Sequence, residues 1–205
     1  MSVIVVVQES ATAGSFAALA LGALLERIAA STHSMVELRL QLQSEDPMAA
    51  LSNAHADLTS TCAELESQGW LFGLFARELG SDVLFERRER RGLEIVLGLV
   101  RDILAREGRS LDLPRLPELD SNDERCATIC AVIARCVHAA HQAPVAPTWR
   151  FIRGEEGTSL VFGGVAAPGL EPALREGAAR IPGAKLEFDS RRRLLLLPEP
   201  CLVWP

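Results

Sequence analysis

Two long segments in the N-terminal part of the chain repeat large apolar residues every seven positions. In the first segment the repeating residues are Leu21, Ile28, Met35 and Leu42. In the second segment they are Leu51, Leu58, Leu65, Phe72 and Leu79. Heptad spacing gives each helix one apolar seam that suits packing against other helices. Because residues 44–47 combine a helix-capping serine with a proline, the pattern predicts two antiparallel helices joined by a short turn.

A helical hairpin on its own buries only one of its two faces. The same seam in a second chain would complete a four-helix bundle, so we expect a homodimer formed through the hairpin. The alternative is that the hairpin packs against the C-terminal half of its own chain.

The C-terminal half of the chain alternates between helical and extended patterns. Helices are expected over residues 93–104, 121–142 and 171–181. Strands are expected over residues 110–113, 149–153, 159–162, 186–189 and 194–197. This order predicts a mixed sheet with helices on one face. The chain is therefore expected to be an α+β protein, with a helical hairpin over residues 1–80 and an α/β sandwich over residues 92–205.

The composition of the chain limits which partners and which cellular location we expect. The 205 residues are 48% hydrophobic and 23% charged, which is typical of a globular protein. Lys and Arg total 21 against 27 Asp and Glu, and a net charge of −6 disfavours a nucleic-acid partner. The apolar stretch over residues 11–25 is too short to cross a bilayer of about 30 Å. The five cysteines form no CxxC motif, so we expect a reducing, cytoplasmic location.

The heptad hairpin followed by a small sandwich resembles the core of bacterial sensor histidine kinases. In that family a dimerising helical hairpin carries the phospho-accepting histidine, and a Bergerat-type (GHKL) domain binds ATP. The likeness runs from about Leu21 to Pro198. Residues 129–140 correspond to the asparagine-box helix of the family. Residues 163–170 correspond to its glycine-containing nucleotide loop, and they end in Pro-Gly-Leu as that loop often does.

The chain differs from the family at the positions that hold the nucleotide. Ala131 and Arg135 stand where the family has its Mg²⁺-binding asparagines, and Val165 stands where it has the adenine-binding aspartate. Alanine and valine cannot ligate a hard cation, and arginine only donates hydrogen bonds. The resemblance therefore implies no cofactor and no normal ATP binding. It points to the degenerate histidine phosphotransferases, which pass phosphoryl groups between response regulators in two-component phosphorelays.

His33 is the candidate phospho-acceptor. It lies two residues before Met35 of the seam, which places it about 160° from the seam and towards solvent. Imidazole suits the transfer because a useful fraction is an unprotonated nucleophile near neutral pH. Glu37, one turn further on, is expected to hold the second ring nitrogen. Arg39 is expected to help to bind an acidic receiver domain of a response regulator.

The sequence leaves two other functions open, a non-catalytic adaptor and a shortened kinase domain. The protein would be a non-catalytic dimeric adaptor if it bound a signalling partner through the hairpin without using His33. It would be a shortened kinase domain if Arg135 still held a nucleotide phosphate. No metal is expected, because the spacing of Cys130, Cys136, His138 and His141 fits no known ligand pattern.

Overall fold

The structure is a computed structural model of the chain. It describes residues 2–42, 47–80, 90–120, 125–145, 147–164, 167–189, 192–199 and 201–204, and for residues 2–15, 41–42 and 47–56 it describes the backbone only. The expected helix turn at 44–46, the helix start at 121–124 and Val165 therefore lie outside the described residues.

The described residues form an α+β fold, as the sequence predicts. The helices are α1 (Ser2–Leu42), α2 (Pro47–Glu78), α3 (Gly92–Arg106), α4 (Cys126–Ala140) and α5 (Leu170–Arg180). The strands are β1 (Glu118–Leu119), β2 (Thr148–Arg153), β3 (Gly157–Gly163), β4 (Lys185–Phe188), β5 (Arg192–Pro198) and β6 (Leu202–Val203). Within the described residues, no helix is both long and apolar enough to traverse a lipid bilayer.

Both sheets are antiparallel, so the expectation of a mixed sheet is wrong. The larger sheet has the order β2-β3-β5-β4, and each neighbouring pair is antiparallel. The crossover through α5 makes β3 and β4 parallel in direction, but β5 returns between them and prevents a parallel pairing. The smaller sheet pairs β1 with β6.

The strand expected over residues 110–113 is also wrong. Leu111 is buried and Leu113 is half-buried, so their alternation with polar neighbours does match a half-buried strand. Both side chains reach the core from an irregular segment instead, and the strand partner of β6 lies further on, in β1. Alternation identifies which side chains face inwards but not whether a neighbouring strand is present.

Burial along α1 repeats every seven residues, as the sequence predicts, but its most buried line lies three residues from the predicted seam. Leu21, Ile28 and Met35 are half-buried. The residues three positions after these three, Leu24, Ser31 and Leu38, are more deeply buried, and Ala17, one heptad before Leu24, continues the same line. The hairpin interface therefore lies along this second heptad position.

In the C-terminal part of α2, the predicted seam no longer faces the hairpin interface. Leu58 and Leu65 are half-buried, but the side chains of Phe72 and Leu79 are 38% and 49% exposed, so their expected seam positions are wrong. A straight α-helix drifts by about 20° per heptad relative to a strict seven-residue repeat. The buried face at this end of α2 consists of Gln68, Trp70, Leu71, Leu74 and Phe75.

The end of the hairpin near Phe16 and Phe75 belongs to the same hydrophobic core as the C-terminal half. That core is continuous from these two residues through α3 and α4 to the inner face of the larger sheet. Three ion pairs also join the two parts of the chain: Arg27–Asp102, Glu26–Arg106 and Glu78–Arg180. This end of the hairpin is therefore covered within one chain.

Candidate functional site

His33 lies on the exposed face of α1, in contact with Glu37. The His33 side chain is 75% exposed, and its Nε2 atom lies 3.3 Å from Oε1 of Glu37. The two residues are four positions apart, so the helix itself places them on one face. When the ring is protonated, this contact is an exposed ion pair between the imidazolium and the carboxylate. The exposed ring is accessible to an incoming electrophile.

Arg39 is exposed but does not share the face of His33. Six residues of helix place the two side chains about 120° apart around α1. A partner that contacted both would have to extend around the helix.

A shallow depression adjoins Glu37 on the hairpin surface. It has a volume of about 300 Å³, and it is lined by Ser34, Glu37 and Leu38 of α1 and by Asp57, Ser60 and Thr61 of α2. Its lining is mostly polar and uncharged, with two carboxylates. Glu37 thus stands between the imidazole and this depression.

The region that corresponds to the nucleotide site contains an internal ion pair. Arg135 of α4 is buried, and its Nη1 atom donates to Oε1 of Glu176 on α5 while Nη2 donates to the carbonyl oxygen of Ala173 at 3.4 Å. A shortened kinase domain would use Arg135 as a phosphate contact. Its guanidinium charge is instead neutralised by a carboxylate that lies 41 residues away in sequence.

The N-terminal helix covers this region. The Phe16 ring of α1 stacks at 4.9 Å on the imidazole of His138, between α4 and the start of α5. Burial lowers the pKa of His138, and a hydrogen-bonding contact with Glu107 opposes that shift. No local sequence pattern indicates this contact, because 122 positions separate the two rings and neither belongs to a motif.

The cysteine and histidine side chains on α4 do not converge on one point. Cys126, Cys130 and Val137 are buried on α4. His138 Nε2 lies 3.4 Å from Glu107, whereas His141 Nδ1 bonds the carbonyl oxygen of Val137 at 2.8 Å. No group of three or more potential ligands that could hold a metal ion occurs among the described residues. The five cysteines, all of them described, form no disulfide.

A scan of the sequence against models of known protein families found no match. A search of curated proteins found no match either. The functional conclusion below therefore depends on the residues and their geometry.

Proposed function

We propose that the protein is a histidine phosphotransferase of a bacterial two-component phosphorelay, with His33 as the phospho-accepting residue. The observation that carries the proposal is the exposed imidazole of His33 held at 3.3 Å by Glu37. A relay histidine needs to be reached by a whole receiver domain, and this position on the hairpin allows that approach. The resemblance to sensor kinases supports the same assignment.

The transfer can be written for the atoms of this site. The lone pair of the unprotonated ring nitrogen of His33 attacks the phosphorus of an aspartyl phosphate on a receiver domain. A P–N bond forms, the acyl P–O bond breaks, and the aspartate leaves as a carboxylate. The other ring nitrogen keeps its proton, and the Glu37 carboxylate, 3.3 Å from Nε2, stabilises the positive charge that the ring acquires. The reverse sequence passes the phosphoryl group to the next receiver.

The proposal does not include ATP. Arg135 is paired with Glu176, and Phe16 covers the surface that would face a nucleotide. Phosphoryl transfer from ATP depends on positioned charges, and the Arg135 guanidinium at this region is already neutralised by Glu176. The phosphoryl group would therefore come from a partner protein.

We place a homodimer within the same proposal. In an antiparallel hairpin, equivalent heptad positions of both helices lie on one side. The seam residues that are only half-buried within one chain are Leu21, Ile28, Met35, Leu58 and Leu65. A second copy would cover this row and complete a four-helix bundle.

Sedimentation velocity tests the dimer with matched variants. Ile28→Asp lies on the row and should give a monomer, because a carboxylate would be buried without a partner. Val36→Asp lies on α1 at a 51% exposed position away from the row and should leave the dimer intact. A monomeric wild-type protein, or a dimer unaffected by Ile28→Asp, would contradict this part of the proposal.

Transfer from radiolabelled phospho-receivers tests the relay. Receiver domains encoded in the same genome would be phosphorylated with acetyl phosphate and mixed with the protein. An acid-labile, base-stable label should appear on the wild type and be lost in His33→Ala, while Thr32→Ala retains it. Label that persists in His33→Ala would exclude His33 as the acceptor.

A second candidate function is that of a non-catalytic adaptor. Apolar side chains are exposed on the hairpin at Leu25, Val36 and Leu40, which are 58%, 51% and 62% exposed. A partner protein could bind through these residues without any reaction at His33. The adaptor predicts that receiver or kinase binding, measured by calorimetry, is unchanged in His33→Ala and weakened in Leu40→Asp.

A further inference from the structure

The outer face of the larger sheet carries a depression. On the inner face, Leu160, Phe162 and Leu195 belong to the hydrophobic core. Side chains alternate along a strand, so the residues between these three face the opposite side of the sheet. The depression on that side has a volume of about 330 Å³, and its walls include Thr148, Arg150, Val161, Gly163 and Arg192.

The strand register brings residues of three neighbouring strands to this depression. Thr148 of β2 is paired with Gly163 of β3, which in turn is paired with Arg192 of β5. Two strand spacings place the backbones of Thr148 and Arg192 about 10 Å apart. Arg150 follows Thr148 by two positions and faces the same side. One hydroxyl and two guanidinium groups can therefore reach a single molecule that is bound above Gly163.

Gly163 leaves the centre of this row without a side chain. A Cβ atom at this position would lie 2.7 Å from Oγ1 of Thr148, which is closer than real Cβ contacts. The threonine hydroxyl therefore leans over the glycine, where a larger residue would displace it. The space above the middle strand stays open to a ligand.

The charges that line the depression are positive. Arg150 and Arg192 are exposed, and among the described residues neither guanidinium has a hydrogen bond or an ion pair. Asp189 accepts from the backbone amide of Arg192 at 2.6 Å and does not line the depression. Glu187 is a diagonal neighbour of Arg192 on this face, but the two side chains form no ion pair. Two like charges at one place repel each other, and an anion between them removes that repulsion.

The donor set fits a phosphate group better than a carboxylate. A phosphate dianion can neutralise both guanidinium charges, whereas a carboxylate carries a single charge. The oxygens of a phosphate also point in several directions at once, which suits donors that approach from opposite sides. Guanidinium groups bind such oxygens through pairs of parallel hydrogen bonds.

We infer that this depression binds a phosphate group, which Arg150 and Arg192 hold from opposite sides and Thr148 contacts through its hydroxyl. The volume of about 330 Å³ leaves room for the part of a ligand that carries the phosphate. The inference does not depend on phosphotransfer at His33, so the failure of either proposal leaves the other standing.

NMR titration of the ¹⁵N-labelled full chain at constant ionic strength tests the inference. The probes are inorganic phosphate, phenyl phosphate and benzoate, and the signals are the Gly163 amide and the Nε–H groups of Arg150 and Arg192. Exposed ion pairs contribute little each, so we expect a dissociation constant on the order of 1 mM for both phosphates. Benzoate should bind about tenfold more weakly. Tighter binding of phenyl phosphate than of inorganic phosphate would identify a phosphate ester as the ligand, and equal binding would identify free phosphate as sufficient.

Four variants separate the parts of the site. Arg150→Gln and Arg192→Gln should each weaken phosphate binding about tenfold, and the double variant should abolish saturable binding. Thr148→Val keeps the shape of the side chain but removes the hydroxyl, and it should weaken binding about threefold. Arg153→Gln is the matched control, because Arg153 is exposed on the same strand and does not line the depression. It should bind phosphate as the wild type does.

The amide spectrum of each variant establishes that it is folded. The absence of a saturable shift with either phosphate would overturn the inference. Equal affinities for phosphate and benzoate would overturn it too, as would binding that the double variant Arg150→Gln/Arg192→Gln leaves unchanged. An equal loss of affinity in Arg153→Gln would show a general effect of positive charge and would also contradict a site at this depression.

Discussion

Arg180 of α5 and Glu78 at the end of α2 form a two-point ion pair across the junction between the hairpin and the C-terminal half. The Glu78 side chain is only 14% exposed. The hydrogen bond to Glu78 raises the pKa of Arg180. This contact joins two elements that are 102 residues apart in sequence.

We expect Glu78→Gln to lower the free energy of unfolding by about 1–3 kcal/mol, because it removes a charge-assisted bond and leaves the Arg180 charge partly buried. Urea denaturation measures the change. Glu171→Gln is the matched control, since its pair with Arg175 is exposed on both sides and should contribute less than about 1 kcal/mol. Equal losses in the two variants would contradict the structural role of the junction pair.

Leu24 and Leu25 test the phase of the α1 heptad. Leu24 is fully buried, whereas Leu25 is 58% exposed. Leu24→Ala should reduce the unfolding free energy by about 2–5 kcal/mol, because it leaves a cavity in the core. Leu25→Ala should change it by less than about 0.5 kcal/mol. Thermal or urea unfolding of the two variants measures both losses. A larger loss for Leu25→Ala than for Leu24→Ala would show that α1 is rotated about its axis.

His138 should make the fold less stable in mild acid. Burial lowers the folded-state pKa of His138 below its ordinary value of 6.5, so the unfolded chain binds the proton more readily. The stabilisation is complete above the ordinary pKa and is lost as the pH falls through 6.5 towards the lower folded-state pKa. Urea midpoints measured between about pH 7 and pH 5 should fall more steeply for the wild type than for His138→Gln. Parallel pH profiles for the two proteins would argue against a neutral, buried His138.

The five cysteines should differ in their reactivity. Cys62 is exposed and the other four are buried. Burial raises the pKa of Cys136 to about 12 and that of Cys130 well above its ordinary value, which suppresses their thiolates. Reaction with a disulfide reagent such as DTNB should therefore begin at Cys62, and Cys62→Ser should lack the fast phase. A fast phase that survives this substitution would place another thiol at the surface.

The contact between His33 and Glu37 could be predicted because helix geometry alone brings residues four apart together. The hairpin helices and the β2–β3 and β4–β5 pairs were also predictable, because their signals are local. The position of β5 between β3 and β4 was not, because strand order is decided by packing between distant segments. For the same reason, no sequence pattern linked Arg135 to Glu176 or Phe16 to His138.

The hydrogen bond from Gln68 Nε2 to Ser31 Oγ, 3.0 Å long and buried inside the hairpin, fixes how far along each other the two helices lie. Sliding α2 by one heptad would shift it by about 10 Å and would place this amide opposite aliphatic carbon. Ser31 and Gln68 are the buried polar side chains among the described residues of the hairpin, so this pair specifies the register of α2 against α1.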